Sequence, residues 1–221
     1  MIEIQNLCKS FKTSSESFHA LKNINLTIKE NEVIVIYGES GSGKSTLLSI
    51  IASIMKPSSG RVLVDGENIV SLSDIHASEY RKNRVGFITQ SFHLFDELTL
   101  HDNLLVPLVI QNLTKGEIEK HIDRALSLAN ISHKKEQKVK SFSGGERQRS
   151  IIARALVNNP DIIICDEPTA NLDIDNSLAF IEMLQSLKEE GKTIIISSHD
   201  ELFKTQIFVD RVISIKDGSL G

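Results

Sequence analysis

At 221 residues, with 40% hydrophobic and 24% charged residues, the chain has the make-up of a soluble globular protein with one substantial core and room for a smaller lobe. Its net charge of −4 argues against a surface built to coat DNA or RNA, so no nucleic acid is expected as a partner. Cys8 and Cys165 form no close-spaced metal pattern and read as reduced, cytosolic thiols.

Residues 2–11 and 21–28 carry β-branched residues in partial alternation and predict two strands, joined by a polar tip at 12–17. Residues 33–37 are an unbroken apolar run, which suits a strand buried on both faces. The apolar-periodic stretch 46–55 predicts a helix beginning near Lys44, ended by Lys56-Pro57-Ser58-Ser59-Gly60. A strand at 61–64 with a tight turn at Asp65-Gly66 follows, then a short helix at 73–83 and a strand at 85–89.

The character changes between about residues 92 and 142. Residues 100–111 are helical in pattern with a kink at Pro107, and 114–129 predict an amphipathic helix with Ile118, Ile122, Ala125, Leu126 and Ala129 on one face. Residues 134–140 form a charged, turn-rich run that reads as a solvated loop, with an anion site as the lesser alternative. We read 92–142 as an inserted helical lobe. The longest apolar stretches, such as 104–110, fall well short of the roughly 20 residues needed to span a bilayer. No N-terminal segment has the layout of a signal peptide, and with the chain ending at Gly221 no regulatory domain is expected.

Strands are predicted again at 161–165, 193–197 and 209–215. The helix between the first two, 175–190, turns Leu178, Ile181, Leu184 and Leu187 to the core and stops at Gly191. Strands alternating with helices predict an α/β fold, with a mostly parallel central sheet covered by helices on both faces.

The chemistry collects at strand ends, where open α/β sheets bind ligands. The strand 33–37 leads into Gly38-Glu39-Ser40-Gly41-Ser42-Gly43-Lys44-Ser45, with Thr46 next in the helix. Strand, glycine turn and helix give G-x-x-x-x-G-K-[ST] its meaning as a phosphate-binding loop. Glycines let backbone N–H groups turn inward, and the helix start adds roughly half a positive charge. Lys44 can reach the β- and γ-phosphates, and the Ser45 hydroxyl can ligate Mg²⁺. The motif predicts binding of a nucleoside triphosphate.

Three more predicted strands end in useful side chains: 85–89 in Gln90, 161–165 in Asp166-Glu167, and 193–197 in Ser198 and His199. Asp166 can hold Mg²⁺ opposite Ser45, and Glu167 can orient and deprotonate an attacking water. Ser143-Gly144-Gly145-Glu146 opens a helix whose buried face is expected to carry Ile151, Ile152, Ala155 and Leu156. That makes a second helix start ready for phosphate, in a chain with one catalytic carboxylate. It suggests service to another subunit's nucleotide.

Together these motifs resemble the ATP-binding subunit of an ABC transporter from end to end. The resemblance implies a P-loop NTPase fold of ABC type. Its single domain combines a core at 1–91 and 143–221, an antiparallel N-terminal β subdomain, and a helical subdomain at about 92–142. It also implies Phe11 as the ring stacked on adenine, Gly38–Ser45 as Walker A and Gln90 as the Q-loop glutamine, working with the metal and in coupling. Ser143–Glu146 resembles the family signature, 162–167 Walker B, Asn171-Leu172-Asp173 the D-loop, and His199 the switch histidine. Departures are Phe142 for leucine, Glu146 for glutamine and Ser198 for threonine; Glu146 puts a ribose contact in doubt.

Residues 84–94 and 103–108 are similar to the lipoprotein-release and macrolide-export branch. The cofactors implied are ATP and Mg²⁺. The partners implied are a second copy of the chain, closing head to tail, and an integral membrane permease that holds it on the cytoplasmic face of the membrane. A non-transporting signalling ATPase of cell-division type is the alternative; a soluble ABC ATPase of DNA repair or translation fits less well, since neither a second nucleotide domain nor a long insertion is present.

Overall fold

The computed structural model describes residues 1–12, 17–170 and 172–221. β1 (Ile2–Lys12) and β2 (Ser17–Ile28) form an antiparallel hairpin, and β4 (Ser59–Val64) and β5 (Glu67–Asn68) extend it in the order β2-β1-β4-β5. The second sheet contains β3 (Val33–Tyr37), β6 (Val85–Ile88), β7 (Ile162–Asp166), β8 (Thr193–Ser198), β9 (Arg211–Lys216) and β10 (Ser219–Leu220). Its order is β10-β9-β3-β8-β7-β6, parallel except for the short β10. The helices are α1 (Lys44–Ile51), α2 (Asp74–Arg84), α3 (Leu100–Leu105), α4 (Lys115–Leu128), α5 (Gly144–Leu156) and α6 (Ile174–Glu189).

Strand alternation explains how the parallel sheet is clad. Val33, Val35, Ile163, Cys165, Ile194 and Ile196 pack with residues of α3 to α6 in one core cluster. Their sequence neighbours Ile34, Ile36, Ile162, Ile164 and Ile195 pack with α1 and the antiparallel sheet in the other. Each such side chain, taken fully out of water, contributes about 1.5–3 kcal/mol before chain entropy is counted. Both faces must therefore be covered, and the strand ends are fixed in a common register.

Between β6 and α5 the chain runs mainly through α3 and α4. The α4 start is closed by a capping box between Thr114 and Glu117, and Ile122, Ala125 and Leu126 are buried in the cluster shared with α5. Lys134 pairs with Glu146, Lys135 with Glu119 and Asp123, and Lys138 and Lys140 with Glu97. The run 134–140 is thus a surface whose four lysines are ion-paired.

Several boundaries move. α1 ends at Ile51, because Ser53 takes a left-handed φ of 54° and the N–H groups of Ile54 and Met55 turn back to the Ser49 carbonyl. β2 begins at Ser17 and not at Leu21, since pairing with β1 runs out to Lys12↔Ser17; the tip residues 13–16 lie outside the described residues. Leu178 is 46% exposed: the inward arc of α6 runs through Ser177, Phe180, Ile181, Leu184 and Leu187 and leaves it at the rim. On α5 it is Ala153 that is fully buried, with Ala155 only partly covered.

Candidate active site

Parallel pairing sets the C-terminal ends of β3, β8, β7 and β6 side by side, so the segments after them share one edge. After β3 the chain turns through glycines into α1. Gly43 sits at the N-cap with φ 108°, where a Cβ would stand 2.4 Å from the Ala20 carbonyl oxygen, so only glycine fits. No side chain caps this helix start and no acidic residue lies in its first turn. Its N–H groups and their partial positive charge are left for an external anion.

A cleft of about 310 Å³ opens at this edge, lined by Phe11, Phe18, Ala20, Ser40, Gly41, Gly43, Lys44, Ser45, Thr46, Gln90, Glu167 and His199. The buried Lys44 ammonium donates to the carbonyl oxygens of Gly38 (2.6 Å) and Glu39 (3.0 Å) and pairs with Glu167 Oε1 at 3.2 Å. The other Glu167 oxygen, Oε2, lies 2.8 Å from His199 Nδ1. Glu167 also holds a left-handed φ of 48°, fastened by its N–H to the carbonyl and hydroxyl oxygens of Ser197, both at 3.1 Å. A non-glycine residue there carries strain of roughly 1–3 kcal/mol, and such strain collects where a side chain must be aimed.

Asp166 Oδ1 accepts hydrogen bonds from Ser45 Oγ at 2.9 Å and from Ser197 Oγ at 2.6 Å. Among the described residues no group of three His, Cys, Asp or Glu side chains could hold a metal alone. One hydroxyl and one carboxylate, hard oxygen donors brought together at a phosphate loop, fit Mg²⁺ that completes its shell with substrate phosphates and water.

The second helix start is built otherwise. Ser143 caps α5 by accepting from the Glu146 N–H at 3.3 Å, and Glu146 Oε2 accepts from the Ser143 N–H at 2.8 Å. Glu146 Oε1 meets Lys134 Nζ at 3.0 Å. The Ser143 N–H and then the Lys134 ammonium hold the Glu146 carboxyl below the usual carboxylate range. Ser143, Gly144, Gly145, Glu146 and Asp173 do not line the phosphate-loop cleft. Asp173 caps α6 through the Asn176 N–H at 2.8 Å, and Asn176 Oδ1 accepts from Arg149 of α5 at 2.5 Å. Asn171, the first residue of the expected D-loop, lies outside the described residues.

Three residues were not singled out from the sequence. Phe18 stands opposite Phe11 in the β1–β2 register and lines the same cleft; its signal was an aromatic residue in each arm of the hairpin. Ser197 was legible only as a hydroxyl closing an isoleucine strand. Arg154 of α5 donates to the carbonyl oxygens of His93 (2.5 Å) and Phe92 (3.3 Å), just beyond Gln90, and burial lowers its pKa. Nothing in its spacing marked it.

A family model described as ABC transporter matches residues 21–170. The chain is 39% identical over 225 residues to the ABC transporter ATP-binding protein MJ0796 of Methanocaldococcus jannaschii, with 100% of this chain and 95% of that one covered. It is 38% identical over 220 residues to the macrolide export ATP-binding/permease protein MacB of Chlorobaculum tepidum, covering 99% of this chain but only 33% of that protein. A solved dimeric structure of MJ0796, in a post-hydrolysis state with ADP and Pi bound, superimposes with a TM-score of 0.92 at 37% identity, covering 100% of this chain and 96% of that one. With the phosphate loop, both carboxylates and the histidine assembled at one sheet edge, the chain belongs to the ABC transporter family and is an ATP-binding, ATP-hydrolysing cassette.

Proposed function

We propose that this cassette is the motor subunit of a membrane transporter, closing head to tail with a second copy and driving a separate permease that exports or extracts cargo. One observation carries the reading. The phosphate-loop cleft has Lys44, Glu167 and His199 in its lining and Asp166 bonded to Ser45 at its edge, while the Ser143–Glu146 helix start lies outside it in the same chain. A second copy turned end for end would supply that helix start, and the dimeric MJ0796 structure supports the pairing of two cassettes.

In this reading Phe11, with Phe18 beside it, takes the base, and the glycine-loop amides and Lys44 take the phosphates. Ser45 and Asp166, with Gln90 nearby, would hold Mg²⁺, which supplies neutralising charge to the phosphate oxygens. Lys44 moves its charge from Glu167 to the phosphates, and the freed Glu167 carboxylate takes the proton of the attacking water. His199, hydrogen-bonded to Glu167, holds that carboxylate in place and faces the transferred group. Ser143 and the α5 amides of the partner complete the cage, so hydrolysis waits on closure. Asp173 acts at that same seam.

Closure is reported outward through α5. Its Gln148 donates to the Pro168 carbonyl at 2.9 Å, beside Glu167, and its Arg154 holds the backbone after Gln90. The 92–142 lobe carries exposed Val106, Val109 and Ile110, and Ile110 lines a surface groove together with the exposed Ile75 of α2. We assign this apolar surface to the permease, which places the cassette at the cytoplasmic face of the membrane; among the described residues no helix is itself long and apolar enough to cross.

The test is a Glu167→Gln chain, which keeps side-chain volume and loses the base. Turnover should fall by about 10²–10⁴-fold, and size-exclusion chromatography should show a dimer with ATP and a monomer with ADP. A variant that stays monomeric with ATP at every concentration rejects autonomous head-to-tail closure, and recovery of a permease with the cassette from detergent extract tests the partner.

A further inference from the structure

Ser197 is fully buried, at 0% exposure, behind Ile194, Ile195 and Ile196 in β8. A hydroxyl taken out of water is costly unless hydrogen-bonded, and this one makes two bonds. Its O–H donates to Asp166 Oδ1 at 2.6 Å, and its oxygen accepts the Glu167 N–H at 3.1 Å. The parallel register that pairs Asp166 with Ser197 makes both contacts reachable.

The two contacts are not equivalent. The Glu167 N–H already has a backbone acceptor, the Ser197 carbonyl, so the hydroxyl is not needed to satisfy it. Asp166 has no such substitute. Its Oδ1 takes only the hydroxyls of Ser45 and Ser197, and Oδ2 takes no hydrogen bond among the described residues. Ser45 lies exposed on the cleft side, where its oxygen is the one able to turn to a cation, and Ser197 is then the remaining donor that fixes the carboxylate. A charge-assisted O–H···O⁻ bond of this length belongs to the strong class.

We propose that Ser197 is a positioning residue, whose hydroxyl holds the Asp166 carboxylate in the orientation that receives the divalent cation and locks it to the peptide carrying Glu167. The proposal rests on the reading of Asp166 as the cation-holding carboxylate. Ser197 is buried and is not among the residues lining the cleft; it acts through its neighbours, as partners of metal-ligating carboxylates do.

The experiment titrates full-length protein with fluorescent N-methylanthraniloyl-ATP, once in EDTA and once in Mg²⁺, in a Glu167→Gln background that leaves the probe intact. Affinity in EDTA should be the same for Ser197 and Ser197→Ala. The tightening produced by Mg²⁺ should shrink by about tenfold in Ser197→Ala, and Ser197→Thr, which keeps the hydroxyl, should retain most of it. Equal loss in EDTA and in Mg²⁺ would mean a packing defect and overturn the proposal. An unchanged Mg²⁺ effect in Ser197→Ala, with that effect abolished in Asp166→Asn, would also overturn it while leaving the cation reading intact. An unchanged Mg²⁺ effect in Asp166→Asn would sink the cation reading itself, and the role of Ser197 with it.

Discussion

α1 and α5 both begin at a glycine-rich turn beside a serine, and the sequence marks both as anion-ready, yet they are opposite constructions. α1 starts at Gly43 with no capping side chain and no acid in its first turn, and its own Lys44 stands ready in the cleft. α5 starts with a closed capping box, and its Glu146 carboxylate already answers the amide end of the helix. A bare helix start attracts a phosphate from solution; one that carries its own counter-charge does not. In the proposed head-to-tail dimer, α5 would meet a phosphate that another copy already holds, and the composite site would depend on closure.

The largest effect is expected at α1. Lys44→Ala should remove measurable ATP binding at millimolar nucleotide, a limit near 4 kcal/mol of binding free energy. Direct titration checks it, with circular dichroism to confirm folding, because the variant also strips Glu167 of a buried partner. Undiminished binding would erase the distinction between the two helix starts.

The same comparison predicts the reverse at α5. A Cβ at Gly144 meets nothing within 4 Å, so Gly144→Ala has no steric reason to disturb its own chain. Thermal unfolding and ATP binding should stay as they were, while hydrolysis falls by at least about tenfold, a crowding cost near 1.4 kcal/mol at the partner's phosphate. Gly145→Asp adds a charge to the clash and should reduce hydrolysis further. Because a Cβ at Gly145 also comes within 3.3 Å of Asn176 in its own chain, Gly144→Ala is the decisive variant: if it weakens ATP binding by the isolated chain, α5 serves its own nucleotide and head-to-tail closure is wrong.

What could be read in advance follows the same division. The phosphate loop, Gln90, Asp166, Glu167 and His199 were legible because each follows a short apolar run, and a parallel sheet gathers such ends without further information. Leu178 was misplaced because helical periodicity gives an arc and leaves its rim undefined. The end of α1 was missed because Ser53 adopts a left-handed conformation that serine only rarely takes. Ser197 and Arg154 could not be found from spacing at all: their contacts exist only through strand register and helix packing.

A smaller effect tests the cleft's far end. Phe18→Ala and Phe11→Ala should each weaken ATP binding by about 0.5–1.5 kcal/mol, and the pair should be non-additive if the two rings form one platform. Equilibrium titration of the four proteins decides it. A silent Phe18→Ala would leave Phe11 alone with the base.

The smallest effect belongs to Glu146, and it converts α5 toward the character of α1. Glutamine preserves the acceptor that closes the capping box on the Ser143 N–H but removes the charge that meets Lys134. With the side chains of Glu146 and Lys134 17% and 23% exposed, solvent screens the pair, and its loss should cost no more than about 1 kcal/mol at neutral pH. The folded carboxyl lies below its ordinary value of 4.5, so its contribution is complete above that pH and disappears as pH falls through the lowered folded value. Urea unfolding of Glu146→Gln beside the parent chain should therefore show a gap at neutral pH that closes in acid. A gap independent of pH would mean that shape, not charge, holds the α5 start. Activity should move the other way. With its counter-charge gone, α5 presents more of its positive end to the partner's phosphate, and hydrolysis should rise by about twofold to fivefold, the kinetic equivalent of 0.3–1 kcal/mol of helix-terminus charge. A fall in activity would instead assign the Glu146 carboxylate a direct contact with the partner's nucleotide.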